Sequence, residues 1–167
     1  MSTPFFMETQ MNYINEIYLL SQKFINDYPQ TKYPELMYKQ GRPYNCLLIE
    51  SRDNYFICIP YRSNINHNNS FMFKSTQRSL RTKSGLDYSK LTLIKDTDYL
   101  DNQKAIIDQD EYKETIVNLH TIAEEVNDYI SDYTNHIKGI KTLHPKAFAR
   151  KYQFSTLPYF HDILNID

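Results

Sequence analysis

The amino-acid sequence predicts an α+β fold: a core of antiparallel strands followed by helices. Three observations carry that expectation. Two apolar runs, Tyr44 to Glu50 and Tyr55 to Pro60, flank the polar tetrapeptide Ser51-Arg52-Asp53-Asn54, which is the pattern of a β-hairpin. From Asp108 to Lys138, apolar residues recur at three- and four-residue spacing (Ile116, Leu119, Ile122, Val126, Tyr129, Tyr133, Ile137), the stripe of one long amphipathic helix. The chain has 167 residues, of which 23% are charged and 41% hydrophobic. That is a globular rather than a disordered balance, and the length bounds it to one domain.

The remaining elements follow in order. Glu16 to Leu20 reads as a short strand, and Ser21 can cap a helix that runs to Tyr28, where Pro29 stops it. Pro34 opens a helical turn through Lys39, with Gly41 as its stop, and Arg42-Pro43 begins the hairpin. Both hairpin strands are almost continuously apolar, so they are expected to be buried on both faces, as in a barrel core. Pro60 should end the second strand, because it has no N–H for a ladder. Phe71 to Phe73 reads as a short strand and the Ser/Thr/Gln-rich stretch around Arg78, Arg81 and Lys83 as loop. Gly85-Leu86-Asp87-Tyr88 reads as a turn feeding a strand from Lys90 to Lys95. The acids at the start of the long helix suit its macrodipole, and Gly139 ends it. Pro145 to Gln153 and Leu157 to Leu164 read as two short C-terminal helices, and residues 1–14 as an N-terminal extension. No apolar run approaches the roughly 20 residues of a membrane span, and Met1 to Gln10 lacks the charge and apolar core of a secretory signal. A soluble, cytoplasmic protein is expected.

Charge is neutral overall and uneven along the chain. Residues 38–95, the basic β core, hold ten cationic side chains and three acids, while residues 96–138 hold eleven acids and three lysines. Two readings fit: a basic face for a polyanion, or pairing of the two segments across the fold. The 15 tyrosines, beside no tryptophan and only 3 glycines, also admit two readings, a coding bias or a surface that stacks on bases. Three glycines nearly exclude a Gly-rich phosphate loop. Cys46 and Cys58 sit inside apolar runs and read as small buried hydrophobes rather than a disulfide or zinc framework.

Chemistry concentrates in Pro60 to Phe71 (P-Y-R-S-N-I-N-H-N-N-S-F). Directly after a buried strand, this segment supplies a guanidinium (Arg62), a hydroxyl (Ser63), several amides (Asn64, Asn66, Asn68, Asn69) and an imidazole (His67). Cleavage of a phosphodiester by its own 2′-hydroxyl needs such groups: a base for the 2′-proton, cations for the pentacoordinate phosphate, an acid for the leaving 5′-oxygen. Imidazole is the side-chain type that titrates near neutrality, which suggests His67 as acid or base. The plain alternative is a polar loop whose Asn residues make turns. His120 and Glu124, four apart on one helix face, have a metal-compatible spacing but no evident third ligand.

Four stretches, L-L-S-Q-K-F-I-N-D-Y, P-E-L-M-Y-K-Q-G-R-P-Y, Y-F-I-C-I-P-Y-R-S-N-I-N-H and G-L-D-Y-S-K-L-T-L-I, span residues 19–94. In order and spacing they resemble the toxins of type III toxin–antitoxin systems, the ToxN/AbiQ, CptN and TenpN endoribonucleases, with TenpN nearest. The resemblance implies a strongly bent antiparallel sheet close to an SH3-like barrel, decorated by helices. It implies metal-independent cleavage of single-stranded RNA to 2′,3′-cyclic phosphate and 5′-hydroxyl ends. No cofactor is implied. The inhibitor would be a small RNA pseudoknot bound with the toxin in a closed protein–RNA ring, and the role phage abortive infection or plasmid maintenance.

Carried over by position, Arg42 stands where the family has a basic residue at the start of the first hairpin strand, a Lys in the ToxN branch. Ser63 takes the hydroxyl-bearing position after the second strand. Arg62 stands where the ToxN branch has Thr, and His67 where the TenpN-like block has its histidine. Tyr18 is the candidate for the tyrosine lining the family's cleft. The Trp of the ToxN branch has no counterpart here. Arg42, Arg62, Ser63 and His67 are therefore the expected catalytic set, with both arginines stabilising the phosphate and Ser63 orienting it. Tyr18, Tyr44, Asn64, Asn66, Lys74, Arg78, Arg81, Lys83 and Lys90 are the expected RNA-contacting set. Competing classes are a non-catalytic RNA-binding regulator, a metal-dependent nuclease built on the acidic helix, and a protein–protein module.

Overall fold

A computed structural model describes residues 16–38 and 44–167, with residues 102–104 described in the backbone alone. The expected extension at 1–14 and the stop at Gly41 lie outside the described residues. Among the described residues seven strands form one antiparallel sheet: β1 (Glu16–Leu20), β2 (Cys46–Glu50), β3 (Phe56–Arg62), β4 (Ser70–Met72), β5 (Gly85–Asp87), β6 (Thr92–Ile94) and β7 (Leu100–Lys104). Their order is β4-β5-β3-β2-β1-β7, with β6 paired to β3. The path ends at β4 on one side and β7 on the other, so among the described residues the sheet is not closed into the barrel that the resemblance implies.

Strand β3 is the trunk. One edge pairs with β2 from Cys46↔Pro60 to Glu50↔Phe56, the predicted hairpin. The other edge is shared: Phe56 to Cys58 pair with β6, and Tyr61 and Arg62 pair with β5. Pro60 does not end the strand as expected. It lies in the gap between these two partners, and the Tyr61 N–H, not that of residue 60, reaches across to the Asn45 carbonyl (2.8 Å). A missing donor is therefore harmless there. Burial on both faces holds as expected, with Ile57, Cys58 and Ile59 fully buried. Both thiols are inside, and burial pushes Cys46 up to about 12 and Cys58 well above its usual value.

Among the described residues five α-helices accompany the sheet: α1 (Gln22–Asp27), α2 (Gln77–Thr82), α3 (Gln109–Val117), α4 (Leu119–Ile137) and α5 (Pro145–Tyr152). Ser21 caps α1 as predicted, accepting from the Phe24 N–H at 3.3 Å. Three expectations need correction. Pro34 begins a turn, not a helix. The stretch read as loop contains α2, capped by Thr76 onto the Ser79 N–H. The single long helix is two, broken at Asn118, whose amide donates to the Glu114 carbonyl (2.8 Å). The apolar stripe from Ile122 to Tyr133 is buried on α4, whereas α3 buries Glu111 and Thr115 instead. A polar anchor and an apolar stripe need not share one straight axis.

The G-L-D-Y segment is likewise a strand followed by a 3-10 turn (Tyr88–Lys90), not a turn alone. The helix expected from Leu157 to Leu164 is a 3-10 helix over Leu157–Phe160, followed by turns. Among the described residues, no helix is long and apolar enough to cross a membrane.

Gly85 is where β3, β4 and β5 meet, opposite both Arg62 and Met72. A Cβ there would run into the Phe71 carbonyl oxygen and approach Met72 Cα to 3.2 Å. Gly85→Ala should therefore cost about 1–3 kcal/mol by forcing a backbone shift in a packed sheet. Urea unfolding reads this directly. An unchanged midpoint would show that β4 yields freely.

Candidate functional site

Arg62 closes β3 and is held in register by Gly85. The chain then bends: Ser63 is exposed and Asn64 takes a left-handed φ of 59°, which Asn tolerates. The Asn64 and Ile65 N–H groups donate to the carbonyls of Thr82 (2.8 Å) and Lys83 (3.1 Å). Ile65 is buried. The loop is thus pinned to the end of α2 before it delivers His67.

His67 meets Asp87, the last residue of β5. Asp87 is fully buried and is the hub of the cluster. Its Oδ2 accepts from Arg62 Nη1 at 2.6 Å, and its Oδ1 accepts from the Ser89 N–H (3.0 Å) and Ser89 Oγ (2.6 Å). His67 Nε2 lies 3.2 Å from the same Oδ1 and 3.4 Å from Ser89 Oγ. A buried carboxylate needs such company, because an unpaired charge there is costly. The other ring nitrogen, Nδ1, accepts from the Asn69 N–H at 3.1 Å. The Nδ1 lone pair is thus engaged by the Asn69 N–H, and Nε2 faces Asp87 and Ser89.

The Arg62 side chain is 16% exposed. Its guanidinium lies 5.5 Å from the centre of the Tyr44 ring, and Nη2 approaches Met37 Sδ at 3.8 Å. Its Nε is buried and has no hydrogen-bond partner among the described residues. Arg62, expected to stabilise a phosphate, pairs here with buried Asp87 through Nη1.

The other predicted residues divide. Arg42 lies outside the described residues. Ser63, Asn64 and Asn66 are exposed on the loop, and Lys83 Nζ donates to Asn66 Oδ1 at 3.4 Å. Lys74, Arg81 and Lys83 make no ion pair among the described residues. Arg78 pairs with Glu111 (3.0 Å) and Asp108 (3.7 Å). Lys90 lines a small cleft beside Tyr44; its side chain is 10% exposed, paired with Glu35 (2.5 Å) and donating to the Phe154 carbonyl (2.8 Å). Tyr18 lies in the cross-strand row of Cys46 and Pro60 and donates to the Glu16 carboxylate, which raises its pKa. The basic and acidic segments do pair in part, through Arg78 and through Arg52 with Glu124 and Asp128 (both 3.3 Å). Among the described residues no three metal-ligating side chains converge.

Sequence reasoning missed Asp87 and Ser89. The available signal was that Asp87 is the one acid of residues 54–95, set between apolar neighbours. Two clefts adjoin His67. One, of about 420 Å³, is walled by α3 and α4 and includes Lys74, Glu114 and Glu125. The other, of about 330 Å³, is walled by α5 and includes Arg150 and Lys151. No family model, curated protein or solved structure matches the chain.

Proposed function

We propose that this chain is an endoribonuclease, the toxin of a type III toxin–antitoxin pair, cutting single-stranded RNA without a metal and held inactive by a small RNA pseudoknot in a closed ring. One observation carries the reading. The R-S-N-I-N-H and G-L-D-Y blocks, two of the stretches on which the family resemblance rests, converge on one carboxylate, with Arg62 and His67 on either side of it. Cytoplasmic action on cellular or phage RNA belongs to the same reading.

The chemistry follows from the imidazole's two bonds. Nε2 lies 3.2 Å from buried Asp87 and 3.4 Å from Ser89 Oγ, while the Asn69 N–H to Nδ1 bond is at the surface. Opening that bond frees the Nδ1 lone pair for the proton of an RNA 2′-hydroxyl. The 2′-oxygen then attacks the adjacent phosphorus, the P–O5′ bond breaks, and the departing 5′-oxygen takes the proton that the imidazolium returns, leaving a cyclic phosphate and a 5′-hydroxyl. Asp87 stabilises the imidazolium formed on the way, and the Ser63 hydroxyl orients the phosphate.

A second reading, an RNA-binding regulator without catalysis, is favoured by one fact: both nitrogens of His67 are already bonded. Ser63→Ala separates the two. Ser63 is exposed, so the variant folds. A charge-assisted hydrogen bond to phosphate is worth roughly 10–100-fold, so cleavage and growth arrest should fall by that factor while RNA affinity stays within about twofold. Growth arrest unchanged in Ser63→Ala, with no RNA cut by either protein, favours the regulator.

A further inference from the structure

We infer that RNA reaches His67 along α5, and that Arg150 is the phosphate-binding side chain of this approach. This rests on the nuclease reading above and adds a subsite outside the basic β core. The cleft is walled by His67, Asn68 and Asn69 on one side and by Ala147, Arg150 and Lys151 on the other. Asn69 Nδ2 donates to the Lys151 carbonyl at 3.1 Å, which ties the His67 loop to the helix and fixes the spacing of the walls.

Charge selects this side. Helix α5, P-K-A-F-A-R-K-Y, has three cations and no acid. Arg150 is exposed, and no ion pair engages it among the described residues. Lys151 is partly neutralised by Asp132 at 3.1 Å. The other cleft at His67 sets one lysine against the two carboxylates Glu114 and Glu125. Its Lys74 contributes a backbone N–H to Glu114 (2.9 Å), so that carboxylate is anchored in place as a fixed negative charge. A phosphodiester moving toward His67 is repelled there and attracted along α5. Of the cations expected to form a groove on the other flank, Arg78 is held by Glu111 and Lys90 by Glu35. Arginine also suits the task chemically, since its planar fork matches two phosphate oxygens.

The test is the salt dependence of binding to a short 2′-O-methyl single-stranded RNA of mixed sequence, which no 2′-hydroxyl chemistry can cut. Arg150→Ala should weaken binding about tenfold. It should also lower the slope of log affinity against log salt by about 0.7, the value for one phosphate contact on a single strand. Lys95→Ala is the control. Lys95 follows β6, beside Phe56 at the far end of β3 from Arg62, and its loss should leave the slope unchanged. If wild type binds and Arg150→Ala matches it in affinity and slope, the α5 path is wrong and the nuclease reading stands. A slope lost instead in Arg81→Ala/Lys83→Ala assigns the path to α2 and likewise overturns the inference. If wild type binds no RNA at any salt, both fail together.

Discussion

Asp87→Ala should lower folding stability by about 3–5 kcal/mol, the effect of removing one partner from a buried ion pair. For a chain of this length that is on the order of 10 °C in melting temperature. The carboxylate is fully buried and accepts from Arg62, from Ser89 twice, and faces His67. Its loss strands a guanidinium that is 16% exposed and leaves the Ser89 N–H without an acceptor. Asp87→Asn should cost less, because the amide oxygen still serves Ser89 while the charge is gone. Replacing both partners, Arg62→Met with Asp87→Asn, should recover part of the loss, since no unpaired charge then remains. A loss under about 1 kcal/mol for Asp87→Ala would remove the carboxylate as organiser of the site.

His67→Ala should abolish most RNA cleavage, by the roughly 10²–10⁴-fold that general acid–base help supplies. Its fold should survive. His67 is on the surface, and its replacement leaves Asp87 still paired with Arg62 and bonded to Ser89. Because His67 acts on the proton of the reacting 2′-hydroxyl and holds no phosphate, affinity for uncut RNA should change little. The pairing of outcomes is diagnostic. Wild-type cleavage by His67→Ala would show that the imidazole is a surface residue capping its own loop, as its bond from the Asn69 N–H would then suggest. Loss of binding together with cleavage would make His67 a contact rather than an acid–base group.

How far these features could be read from the chain depends on what held each one. The elements stabilised by apolar burial or by simple caps were readable: β1, α1 with Ser21, the β2–β3 hairpin, the Ile122 to Tyr133 stripe of α4, and α5 with Pro145 at its start. Elements stabilised by polar partners were not. Helix α2 buries only Ser79, which donates to Glu111 at 2.9 Å, and its one large apolar residue, Leu80, faces solvent. No periodicity announces such a helix. Strand β7, L-D-N-Q-K, is a polar edge strand with no alternation to read. Pro60 was misjudged because its position between two partner strands is a property of the whole sheet.

The site divides on the same line. Arg62, Ser63 and His67 stand close in sequence after a buried strand, so their chemistry could be assembled from local order. Asp87 comes from a different strand, joined to them by β3–β5 and β4–β5 pairing. Arg150 arrives from another helix altogether. Long-range pairing is what turned a suspected phosphate ligand, Arg62, into the partner of a buried carboxylate. It also left Lys90, counted with the groove, inside an ion pair with Glu35.

The most direct test of the central claim is incubation of purified protein with single-stranded RNA in excess EDTA, followed by analysis of the new ends. The account predicts cleavage that leaves 2′,3′-cyclic phosphate and 5′-hydroxyl ends, slowed by roughly 10²–10⁴-fold in His67→Ala under the same conditions. RNA that is bound with a steep salt dependence yet stays intact would contradict it, and would leave the cluster around Asp87 as the frame of a binding surface.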